Sequence, residues 1–346
     1  MSKPRLRAAI LNVCFGHNYG AVLQCVALQE QLEALGCVTT VINYTPRGLW
    51  QLYAARPNPF TSAFWMLRGC LAANEGLARS MSRTIRRAVG ALSAWRNVPE
   101  RRDRIERFES YRAQTLNLTR RYWSLDQLRR DPPKADIYIA GSDQIWNPLI
   151  TGGVDPAFYL DFGPRAVTRA AYAVSPCRLD VEAHHSRIAA LCRRLDFISL
   201  RESEMLPDLV AATSKEVSLC PDPVLLMTPG AMARFAEPVP TPRRPYVVIY
   251  GFKEPTTFGM MSRLIRRIKD SRGLDVIDIS LEKTDWPFAV TRPNDLSPGT
   301  FLSYLAGSNY VVTNSFHATV FSLLYRRDFA VSIQRGTSAR VVELLR

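Results

Sequence analysis

The sequence predicts an α/β protein of two Rossmann-like domains that face each other across a cleft, with a basic helical insertion in the first domain. Two observations predict this fold. The chain has 346 residues, which is more than a single hydrophobic core usually serves. In both halves, short apolar runs rich in β-branched residues alternate with segments of helical apolar spacing, as in parallel sheets covered by helices.

The chain opens with a βαβ unit. AAILNV is a short strand, FGHNYG is a loop rich in turn residues, AVLQCVALQEQLEALG has helical spacing with a glycine stop, and VTTVINY is a second strand. We expect the two strands to be parallel. Gly16 and Gly20 in the loop do not make a dinucleotide fingerprint, because the third glycine is absent.

A helical insertion at about residues 60–130 interrupts this alternation. Residues 79–130 contain fourteen arginines and five acidic residues. The alternation then resumes with DIYIAG, TRAAYAV, DFISL and EVSLC, which predicts a Rossmann-like sheet of about six strands in the domain 1–236.

The segment EPVPTPRRP at residues 237–245 has four prolines and is the predicted linker, since such composition favours extended chain. The second domain, residues 246–346, contains YVVIYGF, DVIDISL, YVVT and DFAVSIQ as its apolar runs. The chain stops at SARVVELLR, inside a segment of helical spacing without a closing signal, and this predicts a further C-terminal segment.

Composition narrows the functional classes. With 47% hydrophobic and 22% charged residues, the chain is not of a disordered or fibrous type. Its seven scattered cysteines match no zinc pattern and are expected to be buried thiols of a reducing compartment. No signal sequence or long apolar run is present, so we expect a cytoplasmic location. The net charge of +14 predicts an anionic partner.

Polar residues follow the predicted strands where each strand ends. Ligands of open parallel sheets bind beyond the carboxyl ends of the strands, so we expect these residues to line the cleft. They are Asn18, Tyr19, Ser142, Asp143, Ser175, Arg201, Glu202, Asp222, Asn314, Ser315 and His317.

The sharpest local pattern is YVVTNSFHATVFSLLY, in which a buried strand runs directly into a helix. Asn314 or Ser315 would cap the helix, and the N–H groups behind the cap make an anion site. His317, in the first turn, would then be a general acid or base beside the anion. The alternative interpretation is a capped helix with a structural histidine.

Two further residues have competing interpretations. Arg201 is either a bidentate clamp for a carboxylate or phosphate, or an ion pair with Glu202 or Glu204. Asp143, in GSDQIWNP, either acts as a base that orients a hydroxyl, with Ser142 beside it at the substrate, or caps the next segment. No metal-binding pattern is present.

Taken together, HNYGAVLQCVALQ, GSDQIWNP, SLRE, PDPVLL and TNSFHATVFSLLYRRDFAV resemble the polysaccharide pyruvyl transferase family along nearly the whole chain. The resemblance implies transfer of the enolpyruvyl unit of phosphoenolpyruvate to two hydroxyls of one sugar, which forms a cyclic pyruvate ketal. It also implies a fold similar to the two-domain GT-B glycosyltransferases and no cofactor beyond the donor substrate.

The resemblance places the family's active-site histidine on His317 and its phosphoenolpyruvate-contacting arginine on Arg201. Some members have a second arginine two residues before the histidine, where this chain has Ser315. The second cation is therefore expected elsewhere, at Arg335 or Lys253. The first domain is expected to hold the acceptor and the second domain the donor.

Acceptors in exopolysaccharide biosynthesis are often lipid-linked, so we hypothesise that residues 60–107 rest on an anionic inner membrane face. Phe64, Trp65 and Trp95 would then lie at the interface. The alternative is a solvated helical pair packed on the first domain. Two other functions remain open: a nucleotide-sugar glycosyltransferase of GT-B type, and a non-catalytic binder of anionic surfaces or nucleic acid. No nucleic-acid-binding module supports the latter.

Overall fold

The computed structural model describes residues 5–251, 255–294, 296–333 and 339–346, in which parallel strands alternate with helices. The strands are β1 Arg7–Leu11, β2 Val38–Ile42, β3 Ile137–Ala140, β4 Thr168–Val174, β5 Phe197–Leu200, β6 Ser218–Leu219, β7 Tyr246–Tyr250, β8 Asp275–Asp278, β9 Tyr310–Thr313 and β10 Asp328–Val331. The helices are α1 Tyr19–Ala34, α2 Arg47–Tyr53, α3 Pro59–Ala72, α4 Leu77–Ser93, α5 Val98–Thr115, α6 Leu125–Arg130, α7 Pro148–Thr151, α8 His185–Cys192, α9 Leu206–Thr213, α10 Pro229–Ala233, α11 Pro255–Arg272, α12 Pro298–Gly307, α13 Phe316–Leu324 and α14 Ala339–Leu344.

The chain divides into two compact units. Unit 1 comprises residues 1–17 and 24–223, and unit 2 comprises residues 18–23 and 224–346. Unit 2 thus begins before the predicted linker at 237–245. Glu237, the first residue of that linker, is also tied to unit 2 by hydrogen bonds from the hydroxyls of Ser297 and Ser303.

Unit 1 is built on a six-stranded sheet of order β2-β1-β3-β4-β5-β6 with parallel pairing, which confirms the predicted strand number and βαβ unit. Helix α1 begins where Asn18 Oδ1 accepts a hydrogen bond from the Ala21 N–H at 3.2 Å. It ends at Gly36, whose φ of +88° suits a left-handed helix terminus. The chain order reverses between β1 and β3, and this makes a topological switch point at their carboxyl ends.

The predicted helical insertion at about residues 60–130 is present as α3 to α6. One of its residues is not where the sequence analysis placed it: Trp65 is only 7% exposed, so the prediction that it lies at an interface is wrong. Its Nε1 donates to the Ile150 carbonyl at 3.2 Å, and a Cβ on Gly152 would lie 2.3 Å from its indole ring. Trp65 therefore anchors α3 onto the sheet-bearing part of unit 1.

Unit 2 contains a four-stranded parallel sheet of order β10-β9-β7-β8. Its central strands are buried on both faces, with Val247, Ile249 and Val312 inaccessible to solvent, as is typical of parallel sheets covered by helices. The switch point lies between β7 and β9. Both sheets therefore have a place where a ligand can enter beyond the carboxyl ends of two strands.

All seven cysteines are free thiols, of which Cys14, Cys25, Cys70 and Cys192 are buried. Within the described ranges, no helix has the length and hydropathy needed to cross a membrane.

Candidate functional site in unit 2 and the ion cluster of unit 1

The connection from β9 to α13 forms the candidate site of unit 2. Ser315 is the N-cap, and its Oγ accepts a hydrogen bond from the Ala318 N–H at 3.4 Å. The Ser315 N–H donates to Thr313 Oγ1 at 2.9 Å. This pattern turns the chain from strand to helix within two residues, because side-chain oxygens replace the backbone acceptors that a helix start lacks.

His317 is the second residue of α13 and is 7% exposed. Its ring lies directly on the backbone of Gly20: a Cβ there would be 2.2 Å from His317 Cγ and 2.4 Å from Nδ1. Phe316 meets the imidazole at a ring-centroid distance of 5.4 Å. The glycine is therefore needed for space, and this contact fixes the plane of the ring.

Asn18 and Tyr19 were predicted to contact substrate, and both lie in unit 2 with other roles. Asn18 caps α1. Tyr19 is 1% exposed, stacks on Phe301 at 4.7 Å and lies 5.7 Å from the Tyr250 ring. The two residues thus help to fix the segment that carries Gly20, and their contact with substrate stays a prediction.

The carboxyl ends of β7, β8 and β9 meet beside this turn. A Cβ on Gly251 would lie 3.1 Å from Asn314 Oδ1, and the Gly251 N–H donates to Ser280 Oγ at 3.1 Å. Asn314 therefore lies at the switch point, one turn away from His317. Open parallel sheets bind their ligands at such a point.

A cation that the sequence analysis did not select lies at this edge. The Arg340 guanidinium, on α14, is 5.7 Å from the centroid of the Phe316 ring, and Phe316 is the residue directly before His317. Nothing in the local pattern around Arg340 marked it, because its position depends on how α14 packs against α13. The two cations expected from the sequence, Lys253 and Arg335, lie outside the described residues.

The predicted residues of unit 1 gather around Arg201 at the carboxyl ends of β3, β4 and β5. Its Nη1 is 2.8 Å from Asp222 Oδ2, its Nη2 is 3.3 Å from Asp143 Oδ1 and its Nε is 3.8 Å from Glu202 Oε2. The side chain of Arg201 is 2% exposed. Ser142 lies in the same cluster, 3.5 Å from Asp222.

Arg201 is therefore an ion-pair residue here. Its closest partners are Asp222 and Asp143, and Glu202, one of the two partners that the alternative interpretation named, lies farther away. Burial lowers the pKa of the guanidinium, but Asp143, Asp222 and Glu202 raise it by more, and the net pKa is above its ordinary value. An incoming anion would have to displace carboxylates that are already bound. Asp143, with φ at +75°, is held in this place by the Ser175 N–H, which donates to its carbonyl at 2.9 Å.

A family model described as polysaccharide pyruvyl transferase matches residues 18–331. No curated protein matches the sequence significantly. Among solved structures, E. coli heptosyltransferase WaaC with ADP-2-deoxy-2-fluoro heptose is 13% identical at a TM-score of 0.40, over 98% of both chains. The S. aureus MnaA-UDP structure is 8% identical at a TM-score of 0.49, over 99% of this chain and 82% of its own. SnogD from Streptomyces nogalater is 13% identical at 0.38, over 95% and 81%. At these TM-scores the similarities carry no argument about function.

Replacing Gly20 by alanine should displace the imidazole of His317, because the new methyl group would overlap the ring. We expect a loss of about 1–3 kcal/mol in the free energy of unfolding, typical of overpacking, together with shifted His317 resonances in NMR spectra. Gly90→Ala is the control, since nothing lies within 4 Å of its Cβ position and alanine stabilises a helix interior by about 0.5–1 kcal/mol. Unchanged His317 resonances in Gly20→Ala would contradict the contact.

Arg201→Gln should destabilise unit 1 by about 3–5 kcal/mol at neutral pH, because it leaves buried carboxylates without their cation. The deficit should shrink as the pH falls, since protonation removes the unpaired negative charges. Denaturant unfolding at several pH values measures both effects. Arg120→Gln removes an exposed pair with Asp131 and should cost about 1 kcal/mol or less. Equal effects of the two substitutions would disprove the structural role of Arg201.

Proposed function

Because the chain belongs to the polysaccharide pyruvyl transferase family, we propose that it transfers the enolpyruvyl group of phosphoenolpyruvate onto two hydroxyls of a sugar. The sugar would belong to a cell-surface glycan or its lipid-linked precursor, and the products would be a cyclic pyruvate ketal and phosphate. The observation that supports this most is the position of His317, a buried imidazole in the first turn of α13 at the switch point of unit 2.

The donor would bind at the start of α13. Phosphoenolpyruvate carries a phosphate and a carboxylate, and the start of a helix attracts anions through its N–H groups and its dipole. Ser315 shapes this turn, and Asn314 lies beside it. Arg340 would supply the second cation of the donor site. The family resemblance suggested Arg335 or Lys253 for this role, and these two assignments remain predictions.

His317 would act as the acid that protonates the methylene carbon of the donor. This step turns the double bond into a methyl group and leaves an oxocarbenium centre on the adjacent carbon. One sugar hydroxyl attacks that carbon and loses its proton. The second hydroxyl then forms the other C–O bond as the bond to phosphate breaks, and its proton goes to the departing phosphate. After it has protonated the donor, His317 is neutral and can accept the proton of the first hydroxyl. His317 is thus protonated again at the end of the cycle.

Unit 1 would contribute the acceptor side. The sequence analysis proposed that Asp143 acts as a base and that Arg201 contacts the donor. In view of their mutual ion pair, we instead propose that they hold the carboxyl edge of the sheet in place. They would thus be positioning residues for the acceptor.

The donor site is tested by calorimetric binding of phosphoenolpyruvate. We expect His317→Gln and Arg340→Gln each to weaken binding about tenfold or more, since charge-assisted hydrogen bonds to a phosphate or carboxylate are lost. His185→Gln is the matched control, because His185 is exposed. Unchanged affinity in His317→Gln would contradict the proposed donor site. Binding of a uridine or guanosine diphosphate sugar in place of phosphoenolpyruvate would favour a glycosyltransferase.

A second feature supports a membrane location for the acceptor. Helices α3 and α4 each carry an exposed apolar stripe with a spacing of three or four residues. The stripes consist of Phe60, Phe64, Leu67 and Leu71 on α3, and Leu77, Met81, Ile85, Val89 and Leu92 on α4, all exposed by 37–83%.

The segment that contains α3 and α4 is also strongly basic. Residues 59–97 contain six arginines and one acidic residue, Glu75, which is paired with Arg83 at 2.7 Å. Trp95, 50% exposed, follows α4. Apolar side chains next to arginines suit the boundary between acyl chains and anionic headgroups. We therefore place this face on the anionic inner leaflet, where a lipid-linked acceptor would be found.

Vesicle sedimentation tests this placement. We expect the protein to bind vesicles that contain an anionic lipid, to bind zwitterionic vesicles weakly, and to lose binding as salt rises. Met81→Ser with Ile85→Ser should weaken binding about tenfold or more, because apolar area leaves the interface. Leu35→Ser is the control, as Leu35 is 80% exposed but lies on α1's C-terminal side. An equal loss in both variants, or no binding at low salt, would overturn the placement.

A further inference from the structure

The loop that follows β1 carries a histidine that the donor site does not use. The His17 ring meets Tyr53 edge-on at 5.6 Å and Phe108 at 5.5 Å. Its Nε2 is buried and has no hydrogen-bond partner in the part of the chain that the structure describes. A buried polar atom without a partner is costly, so this nitrogen indicates a ligand.

Arg101, on α5, reaches the same place. Its Nη2 donates to the carbonyl of Ala54 at 2.9 Å, the residue directly after Tyr53. Its Nε is also buried, again with no partner among the described residues. His17 and Arg101 thus contact neighbouring residues at the end of α2, and each has an unused nitrogen there.

More cations surround this pair. Burial lowers the pKa of His17 to about 3, and the charges of Arg104, Arg101 and Arg112 lower it further. Burial also lowers the pKa of Arg101, together with Arg104 and Arg87. These guanidinium groups therefore make the surroundings of His17 and Arg101 positively charged.

Two carboxylates in this part of unit 1 form ion pairs with other arginines. Asp143 is close enough to raise the pKa of Tyr53, but its carboxylate faces Arg201. Glu109 pairs with Arg112 at 2.6 Å and Arg121 at 2.8 Å. A cationic cluster of this kind is stabilised when an anion binds to it.

His17 lies in the loop that follows β1, one of the two strands that flank the switch point of unit 1. A Cβ on Gly16, the residue before it, would lie 3.2 Å from the Tyr53 ring. The carboxyl ends of β1 and β3 are where an open sheet of this strand order binds ligands. All members of the cluster belong to unit 1.

We propose that His17 and Arg101, whose buried nitrogens lack partners among the described residues, form a binding site for a phosphate or diphosphate group that belongs to the acceptor. Guanidinium groups bind phosphate oxygens in a bidentate manner, and a diphosphate has enough negative charge to match several of them. The assignment of the bound group to the acceptor rests on the proposed function. The existence of an anion site does not depend on it. The donor's phosphate would bind elsewhere, at α13.

Calorimetry with inorganic pyrophosphate tests the site in the full chain. We expect the unaltered protein to bind pyrophosphate and Arg101→Gln to bind it about tenfold more weakly or worse, with phosphoenolpyruvate affinity unchanged. Arg102→Gln removes the same charge from the adjacent, exposed position and should leave pyrophosphate affinity nearly unaltered. NMR titration supplies a second readout: bound pyrophosphate should move the titration of His17 to higher pH, because an anion favours the imidazolium, and His17→Gln assigns the signal.

Three results would overturn the inference: no pyrophosphate binding by the folded protein, equal losses in Arg101→Gln and Arg102→Gln, or loss of phosphoenolpyruvate binding in Arg101→Gln. The last would assign the cluster to the donor. Failure of the donor site at His317 would instead leave pyrophosphate binding intact, so that the two proposals fail separately.

Discussion

Parallel pairing of the strands is the constraint on which the chemistry of this chain depends. A parallel sheet covered by helices is apolar on both faces, so ionisable groups near its centre have room only beyond the carboxyl ends of the strands. The sequence follows this constraint closely: β7 and β9 are buried and apolar until they end, and then Gly251, Asn314 and Ser315 follow. The strand order therefore places the imidazole of His317 at this edge, and the absence of a side chain on Gly20 leaves space for the ring.

The charged residues at the carboxyl edge of the sheet in unit 1 form two groups. Around Arg201, carboxylates outnumber the cation. Around His17, the charges that lower the pKa of the imidazole are those of Arg104, Arg101 and Arg112. Asp143 lies between the groups, since it pairs with Arg201 and also affects Tyr53. Such a division favours an acceptor that offers hydroxyls on one side and an anionic group on the other.

The sequence predicted the features that depend on local pattern. Periodicity and punctuation were enough for the six strands of unit 1, the helical insertion and the N-cap before α13, because propensity, capping and burial agree there. Features that depend on tertiary packing were missed. In the sequence, Trp65 lies among apolar and basic residues, as tryptophans at a membrane interface do. Its burial is clear only from the structure, in which its indole ring packs closely on Gly152. Arg201 looked like an anion clamp because its partners Asp143 and Asp222 are distant in sequence. Arg340 and Arg101 were hidden among many similar arginines.

Residues 18–23 belong to unit 2 although the chain on both sides of them belongs to unit 1. During synthesis, Tyr19 and Gly20 leave the ribosome early, whereas Phe301 and His317 follow about three hundred residues later, a separation that slows the closing of such contacts. Unit 2 cannot complete its aromatic packing, or seat its histidine, until Phe301 and His317 have been synthesised. Until then, Tyr19 and Gly20 would be without the aromatic and imidazole rings that they contact in the folded unit.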